Sequence, residues 1–215
     1  MKWLNNFSSA NITYYIYKLN KNDFFILDPK ISKDQSFIIL NGIILIIKVF
    51  SNKKYFPLII LNTNNIISLE YFSTNSNYYY KLIALDKTYI LSFSIKDLKG
   101  NNKIKPEIFH SIIDGYHITL TKYEIMNSIL VHKLAKHRII QLILFLSFEF
   151  GTISNKKILI PFSLSQKKLA LITKSNKITV NKIIKHLCKE KIIKYLYKKI
   201  ICIINIDKLT LLFYQ

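Results

Sequence analysis

The stretch that most constrains the fold runs from Leu164 to Ile193 and contains no proline or glycine. Ser165 is a good N-cap for a short first helix, and the polar residues from Thr173 to Ser175 suit a tight turn. A second helix is predicted over residues 176–190, because its apolar residues follow the i, i+3, i+4, i+7 spacing of one buried face: Val180, Ile183, Ile184 and Leu187.

The other side of this second helix is polar and basic, with Lys177, Asn181, Lys182 and Lys185. Two short helices around a tight turn, the second basic on its free side, are typical of a helix-turn-helix whose second helix enters the DNA major groove. A lysine-rich helix face is also an ordinary solvated surface. The helix pair alone therefore leaves both interpretations open, and the neighbouring features favour DNA.

Charge is concentrated in the same part of the chain. Between Lys133 and Lys199 there are 16 Lys or Arg residues against two acids, Glu149 and Glu190, which places +14 of the total net charge of +20 in that segment. A basic segment beside a nearly neutral one indicates a polyanionic partner, with nucleic acid ahead of an anionic membrane surface. Arg138 is the only arginine, and the abundance of Ile, Lys, Asn, Tyr and Phe is typical of an AT-rich genome.

Residues 1–105 are predicted to form a β-roll or barrel of short strands at regular spacing. Two apolar runs flank the turn dipeptide Asn41-Gly42, a pattern that predicts a β-hairpin between Ser36–Leu40 and Ile43–Phe50.

Residues 106–133 are predicted to form a long helix that begins at Pro106. One stripe of this helix has heptad spacing and predicts the dimer seam of a parallel homodimer, formed by Ile112, Tyr116, Thr119, Tyr123, Met126 and Leu130. The alternative is that the stripe packs on the chain's own roll.

Residues 134–215 are predicted to form the DNA-binding domain. An apolar helix ends at Gly151, a short strand precedes Pro161, and the helix-turn-helix follows. Residues 194–206 then predict a hairpin with Tyr197, Lys198 and Lys199 at its tip, where the lysines can reach a phosphate. The whole is a winged helix-turn-helix, and the fold class is α+β.

The sequence argues against several other classes of protein. It has no nucleotide-binding glycine motif, no HExxH and no GxSxG, and its five histidines form no metal-ligand set, so we predict no metal and no enzyme. Cys188 and Cys202 are too few for a disulfide framework. No secretory signal or membrane-spanning helix is expected.

The order of roll, long helix and winged helix-turn-helix resembles the Crp/Fnr family of transcription regulators. The resemblance is strongest in LSQKKLALITKSNKITVNKIIKHLCKEKII and HRIIQLILFLSFEFG, and the ILNGIILIIK run is similar to a hairpin of the family's roll. Within that family the chain resembles the nitrogen-control regulators of cyanobacteria and red-algal plastids. The resemblance implies a homodimer that binds a palindromic DNA site, activates nitrogen-related genes and contacts RNA polymerase, with no membrane partner. It also implies a plastid (chloroplast) location, for which the alternative is the cytoplasm of an AT-rich prokaryote. The residues themselves leave activation and repression equally open.

The resemblance and the residue pattern together predict a DNA-contacting set. The family's basic residues at the start of the recognition helix match Lys177 and Lys182, and Lys lacks the planar fork of Arg for guanine. The turn position that is often Gly in the family is Lys174, whose left-handed backbone would cost about 1 kcal/mol. The predicted DNA contacts are Ser165, Gln166, Ser175, Asn176, Lys177, Ile178, Thr179, Asn181, Lys182, Lys198, Lys199 and Arg138.

The family's effector site is less well matched. The family's cyclic-nucleotide pockets use a Gly-Glu pair and an arginine, and both are missing from the matching stretch here. The family's 2-oxoglutarate site uses one Glu and two arginines. The Glu is matched by Glu124, but the two arginines are replaced by Tyr78 and Thr119. Only lysines such as Lys81 remain to meet an anion. We predict no cofactor, no response to cyclic AMP, and at most a weak response to 2-oxoglutarate. Rival functions are an RNA-associated or architectural nucleic-acid-binding protein and a dimeric scaffold, both without effector control.

Overall fold

The computed structural model describes residues 2–28, 34–68, 77–99 and 105–214. They divide into two compact units, Met1–Glu124 and Ile125–Gln215. The described part of the first unit contains two short helices, a set of short strands and most of a long helix: α1 (Lys2–Ser9), β1 (Tyr14–Leu19), β2 (Phe24–Leu27), β3 (Gln35–Asn41), β4 (Ile44–Phe50), β5 (Tyr55–Leu61), β6 (Ile66–Ser68), β7 (Tyr78–Ala84), β8 (Thr88–Ser94), α2 (Ile95–Lys99) and α3 (Pro106–Val131).

The strands form two antiparallel four-stranded sheets with the orders β1-β8-β3-β6 and β2-β7-β4-β5. Side chains from both sheets meet in one buried cluster, which includes Phe37, Ile39 and Ile90 from the first sheet and Ile46 and Leu82 from the second. Alternating strand residues therefore supply a shared core between the sheets. The predicted roll, and with it the α+β fold class, is confirmed.

The predicted hairpin at Asn41-Gly42 is wrong. β3 pairs with β8 and β6, whereas β4 pairs with β5 and β7, so the turn carries the chain from one sheet to the other. Gly42 has φ of +99°, and a Cβ there would lie 2.6 Å from the carbonyl oxygen of Lys87. The continuous apolar runs reflect strands in the middle of their sheets, and such runs do not specify the pairing partner.

Helix α1 was not predicted. Eight residues are too few for a helical period to stand out, and the helix is stabilised by packing on the outer face of the first sheet. Trp3 and Phe7 join Ile38, Leu91 and Phe93 in a second buried cluster. The indole Nε1 of Trp3 also donates a hydrogen bond to Asn64 Oδ1, 3.0 Å away.

Helix α3 begins at Pro106, as predicted, and its first half packs on the roll. Ile112 belongs to the second buried cluster, on the outer face of the first sheet. The hydroxyls of Tyr116 and Ser36 lie 3.1 Å apart, and the backbone N–H of Ile66 donates to Thr119 Oγ1. Gly115 permits this close approach, because a Cβ there would lie 2.6 Å from Ile66 Cγ1. Ile112, Tyr116 and Thr119 therefore contact the chain's own roll, and the homodimer itself stays a prediction.

The remaining predicted seam residues divide between core and surface. Met126 is fully buried, Leu130 is half-buried and Tyr123 is exposed. A neighbouring stripe of α3 is both apolar and exposed, and it consists of Phe109, Ile113, Leu120 and Val131. Heptad spacing indicates an apolar stripe, but it does not decide which of two adjacent stripes the chain's own sheet covers.

The second unit contains α4 (Ala135–Phe150), β9 (Thr152–Ser154), β10 (Lys157–Leu159), α5 (Gln166–Ile172), α6 (Lys177–Lys189), β11 (Ile193–Leu196), β12 (Ile200–Ile203) and α7 (Ile206–Tyr214). Its strands form a sheet with the order β11-β12-β10-β9. Helix α4 ends before Gly151, as predicted, although Gly151 is extended (φ −66°) and not left-handed. Helix α7 was not predicted. No helix in the described ranges has the length and apolar character needed to cross a bilayer.

Candidate nucleic-acid interface

Helices α5 and α6 form the predicted helix-turn-helix, and each begins with a side-chain cap, of which Ser165 was predicted. Ser165 Oγ accepts a hydrogen bond from the backbone N–H of Lys168 at 3.2 Å, and Asn176 Oδ1 accepts one from that of Ile178 at 2.8 Å. These caps satisfy N–H groups that have no partner within the first helical turn. Both helix starts are thus set by side chains that the sequence already displays.

Helix α6 buries the predicted apolar stripe. Val180, Ile184 and Leu187 are buried, and Ile183 is half-buried. The opposite side is exposed at the N-terminal end of the helix, where Asn176, Lys177, Ile178, Thr179 and Lys182 are all accessible. The predicted recognition surface is therefore a continuous exposed surface at one end of one helix.

The charge at this end is uniformly favourable for an anion. The unpaired backbone N–H groups of a helix N-terminus add partial positive charge to that of Lys177 and Lys182. Glu190, one of the two acids between Lys133 and Lys199, lies at the C-terminal cap of α6. Ile178 is 66% exposed among these polar residues, which gives the surface one apolar contact point.

The turn between the helices has the predicted left-handed residue. Lys174 has φ of +50° and an exposed side chain. The preceding Thr173 is fully buried, and its hydroxyl donates to the carbonyl of Leu169 at 2.7 Å. The backbone N–H of Ser175 donates to the carbonyl of Ala170, which closes the turn.

Several of the predicted DNA contacts form hydrogen bonds within the motif. Gln166 Nε2 donates to Asn181 Oδ1 at 3.0 Å and joins the start of α5 to α6. Ser175 Oγ donates to the carbonyl of Thr173 at 3.1 Å, and Ser165 is occupied as a cap. The first of these bonds links α5 to α6 directly, and the side chains that make all three are half-buried.

Arg138 makes contacts within the second unit that the sequence did not predict. Its guanidinium donates to the carbonyls of His132, Lys133 and Thr173 at 2.7, 3.1 and 2.8 Å, and to Ser175 Oγ at 3.2 Å. Arg138 therefore binds the segment after α3 to the helix-turn-helix turn, and its predicted contact with phosphate stays a prediction. Carbonyl groups at the ends of helices lack intrahelical donors, and the planar guanidinium can serve several of them at once.

The wing is present as predicted. β11 and β12 pair from Ile193↔Ile203 to Leu196↔Ile200, and a 3-10 turn (Tyr197–Lys199) connects them. Tyr197 is 85% exposed, and Lys199 is exposed with φ of +63°. Lys198 lies in this turn, but its side chain is outside the described part of the structure. Tyr195 anchors the wing, because its hydroxyl donates to the carbonyl of Leu164 at 3.0 Å.

The residues that resemble the family's effector site are not all brought to one place. A partly open cavity of about 770 Å³ is lined by strands of the roll and by α3. Of the residues with described positions, Thr119 lines it, whereas Tyr78 and Glu124 do not. Lys81 does not line it either, because Lys81 pairs with Ile47 while the inward-facing Tyr80 pairs with Lys48. Successive strand residues point to opposite faces, so Lys48 lies on the cavity side and is the one cation among the described lining residues.

Metal-binding groups are not assembled in the described residues, where no cluster of three or more His, Cys, Asp or Glu side chains occurs. The rings of His132 and His137 lie 5.9 Å apart and both contact Phe213 of α7. Their neighbour is therefore an aromatic ring of the same unit.

Comparison with known proteins gives one family match and several relatives. Residues 137–212 match the Crp-like helix-turn-helix domain. The putative HTH-type transcriptional regulator ycf28 of Porphyra purpurea is 30% identical over 199 residues, which cover 93% of this chain and 82% of that protein. The global nitrogen regulator of Nostoc sp. strain PCC 7120 is 24% identical over 86% of this chain and 82% of its own length.

The fold has matching solved structures. A CRP-family transcriptional regulator from Thermus thermophilus superposes with a TM-score of 0.74 at 13% identity, over 93% of this chain and 97% of that chain. At this identity the likeness concerns the fold, and it agrees with the roll, long helix and winged helix-turn-helix described above.

Proposed function

Because the chain belongs to the Crp/Fnr family of transcription regulators, we propose that it recognises a specific DNA sequence through the N-terminal end of α6. The observation that carries this proposal is the exposed surface formed by Asn176, Lys177, Ile178, Thr179 and Lys182 on a capped helix whose other side is buried. An α-helix fits the major groove, and its first residues reach the base edges.

The residue types suggest how the bases are read. Lys177 and Lys182 donate to phosphates or to guanine as point charges, Asn176 and Thr179 offer hydrogen bonds, and Ile178 contacts a thymine methyl group. Lys199 at the wing tip meets a backbone phosphate and adds affinity without sequence preference. Arg138 contributes indirectly, because it holds the turn that orients α6.

We further propose that the protein acts as a parallel homodimer on a palindromic site. The support is the exposed apolar stripe of α3, where Phe109, Ile113 and Leu120 are 38, 61 and 61% exposed. This stripe replaces the one formed by Ile112, Tyr116 and Thr119, which the roll already covers. Two-fold symmetry would place the two recognition helices about one DNA turn, roughly 34 Å, apart.

The proposed targets are nitrogen-related genes, in a plastid. The nitrogen regulators among the relatives support the proposed targets. The residue usage, which is typical of an AT-rich genome, supports the plastid location. We propose that residues 1–105 form an effector-type domain, residues 106–133 the dimerisation helix and residues 134–215 the DNA-binding domain. RNA polymerase is the proposed partner of the DNA-bound dimer. Of the described residues that line the roll cavity, none is an arginine, which supports a weak or absent response to 2-oxoglutarate.

Selection of binding sites from random DNA, followed by footprinting, tests the proposal. We expect a palindromic consensus and a protected region with two-fold symmetry. Binding without a consensus, or tighter binding to RNA than to duplex DNA, would contradict it and favour an RNA-associated or architectural protein.

A further inference from the structure

Strand β1 presents a free edge of the first sheet. It lies at one end of the order β1-β8-β3-β6, and its only pairing among the described residues is with β8. Along its other side, the backbone N–H and C=O groups face no further strand of the described chain. A row of such groups is a template for another extended chain, because each group can form a hydrogen bond with an added strand.

The other sheet edges have features that discourage pairing. β6 and β9 have three residues each, and β2 and β11 have four. β5 has seven residues, but it contains Pro57, which lacks a backbone N–H, and a bulge interrupts its register with β4. β1 has six residues, no proline and a regular register with β8. Among the described sheets, β1 is therefore the edge that is open to another strand.

The side chains of β1 make this edge apolar on both faces. Tyr15 and Tyr17 are 65% and 46% exposed, and Ile16, which points to the opposite face, is 47% exposed. Lys18 is the only charged residue of the strand. The ring of Tyr17 stacks on that of Phe25 in β2, with the ring centroids 6.4 Å apart. A strand added at this edge would cover part of all three exposed apolar side chains.

We propose that β1 pairs with β1 of a second copy of this chain, antiparallel and about a two-fold axis at Ile16. This axis places Ile16 opposite Ile16 and forms two Tyr15–Tyr17 pairs, in which both rings point to the same face. Aromatic pairs stabilise neighbouring strands, and the single lysine, Lys18, lies opposite Tyr14 and not opposite another lysine. The strand is therefore complementary to itself, and the two four-stranded sheets continue as one sheet across the contact.

This contact is separate from the exposed apolar stripe of α3. A single pair of strands buries a small area, so the association should be weak, with a dissociation constant on the order of 100 µM. The pairing itself does not rest on the proposed function. Two dimers on neighbouring DNA sites have a high local concentration, which would allow β1 to join them, and that role does rest on the proposed function.

Sedimentation equilibrium of the full chain with Ile113→Glu tests the pairing, because this substitution removes the proposed contact through α3. A salt concentration of about 0.3 M screens the net charge of +20. Between about 10 µM and about 1 mM protein, we expect monomers in reversible equilibrium with dimers. In this background, Ile16→Lys and Ile16→Glu should each weaken the association by about tenfold or more, because they place like charges opposite each other. An equimolar mixture of the two should restore it, because opposite charges then meet.

Ile26→Lys is the matched control. Ile26 is 53% exposed, but it lies on the short edge strand β2, so its substitution should leave the association unchanged. Circular dichroism checks that each variant is folded. If a variant of Ile16 does not fold, Tyr15→Lys replaces it, because Tyr15 is the most exposed apolar side chain of β1 and a charge there should cause the same loss.

The outcomes separate this inference from the proposed function. Ile113→Glu protein that stays monomeric over the whole concentration range overturns the inference, and leaves the free edge to a strand of a different protein. Association that survives Ile16→Lys, that Ile26→Lys weakens equally, or that the mixture does not restore also overturns it. None of these results bears on DNA recognition. Protein that associates through Ile16 but recognises no DNA site contradicts the proposed function and leaves the inference standing.

Discussion

The Nε atom of Arg138 donates a hydrogen bond to the backbone carbonyl of Thr173 at 2.8 Å, across 35 residues of sequence. Three further bonds from the same guanidinium reach His132, Lys133 and Ser175. The single arginine of the chain is therefore a connection inside the DNA-binding unit, between the segment that follows α3 and the turn that sets the direction of α6.

Replacement of Arg138 by Gln should destabilise the protein. The free energy of unfolding should fall by about 1–3 kcal/mol, because the substitution leaves buried or half-buried carbonyls without donors. Urea denaturation measures this change. DNA affinity should fall while the slope of affinity against salt stays unchanged. Lys133→Gln removes an exposed charge nearby and serves as the control. A salt slope reduced by about one unit with normal stability would instead show that Arg138 contacts phosphate.

Lys182→Ala should weaken binding to the selected site by about 1–3 kcal/mol, because Lys182 is exposed on the proposed reading surface. Competition with unrelated DNA measures the loss of specificity. Lys189→Ala, at the C-terminal end of the same helix, is the control. Lys199→Ala should weaken binding to all sequences alike. Equal effects of the Lys182 and Lys189 substitutions would rule out recognition by the N-terminal end of α6.

Ile113→Glu should convert a dimer into a monomer, because Ile113 is 61% exposed on the apolar stripe of α3. Ile118→Glu is a matched control on the same helix: Ile118 is 44% exposed and lies about 140° around the helix axis. Sedimentation at micromolar concentration distinguishes them. A wild-type chain that is already monomeric, or equal dissociation by both variants, contradicts the dimer. Met126→Lys is less informative, because Met126 is fully buried and a charge there would unfold the chain.

Lys174→Gly should raise the free energy of unfolding by about 1 kcal/mol, since the residue holds a left-handed backbone with φ of +50°. Lys185→Gly, at an exposed position inside α6, should lower it by about the same amount. Urea denaturation of both variants checks the opposite signs. A destabilised Lys174→Gly variant would show that the Lys174 side chain contributes more than its backbone costs.

Stability should fall at alkaline pH. Burial raises the pKa of the Tyr80 hydroxyl above the ordinary value near 10, so the folded chain holds this proton more tightly than the unfolded chain. The resulting stability is fully present below the unfolded pKa and is lost as pH rises above about 10. Tyr80→Phe should reduce this loss of stability, which is measured as the change in the free energy of unfolding between neutral pH and a pH of about 11. The same loss in the wild type and the variant would assign it to other groups.

The sequence alone determined the helix-turn-helix in detail. Ser165 and Asn176 cap its helices, Lys174 takes the left-handed turn, and Val180, Ile184 and Leu187 are buried. Capping, turn formation and helical periodicity are interactions between residues at most a few positions apart, so these features are readable in the local pattern. The roll and the wing were predicted as classes of structure for the same reason.

Only the tertiary structure decided which apolar strand pairs with which, which stripe of α3 the roll covers, and where Arg138 and Lys48 point. The chain crosses between sheets at Gly42, Thr119 accepts from Ile66, and Lys48 lies opposite Tyr80. Each of these relationships joins elements far apart in sequence, and strand register reverses a side chain's face with a shift of one residue. Local pattern specifies that a residue is apolar or charged, and the partner it meets is set by the packing of the whole unit.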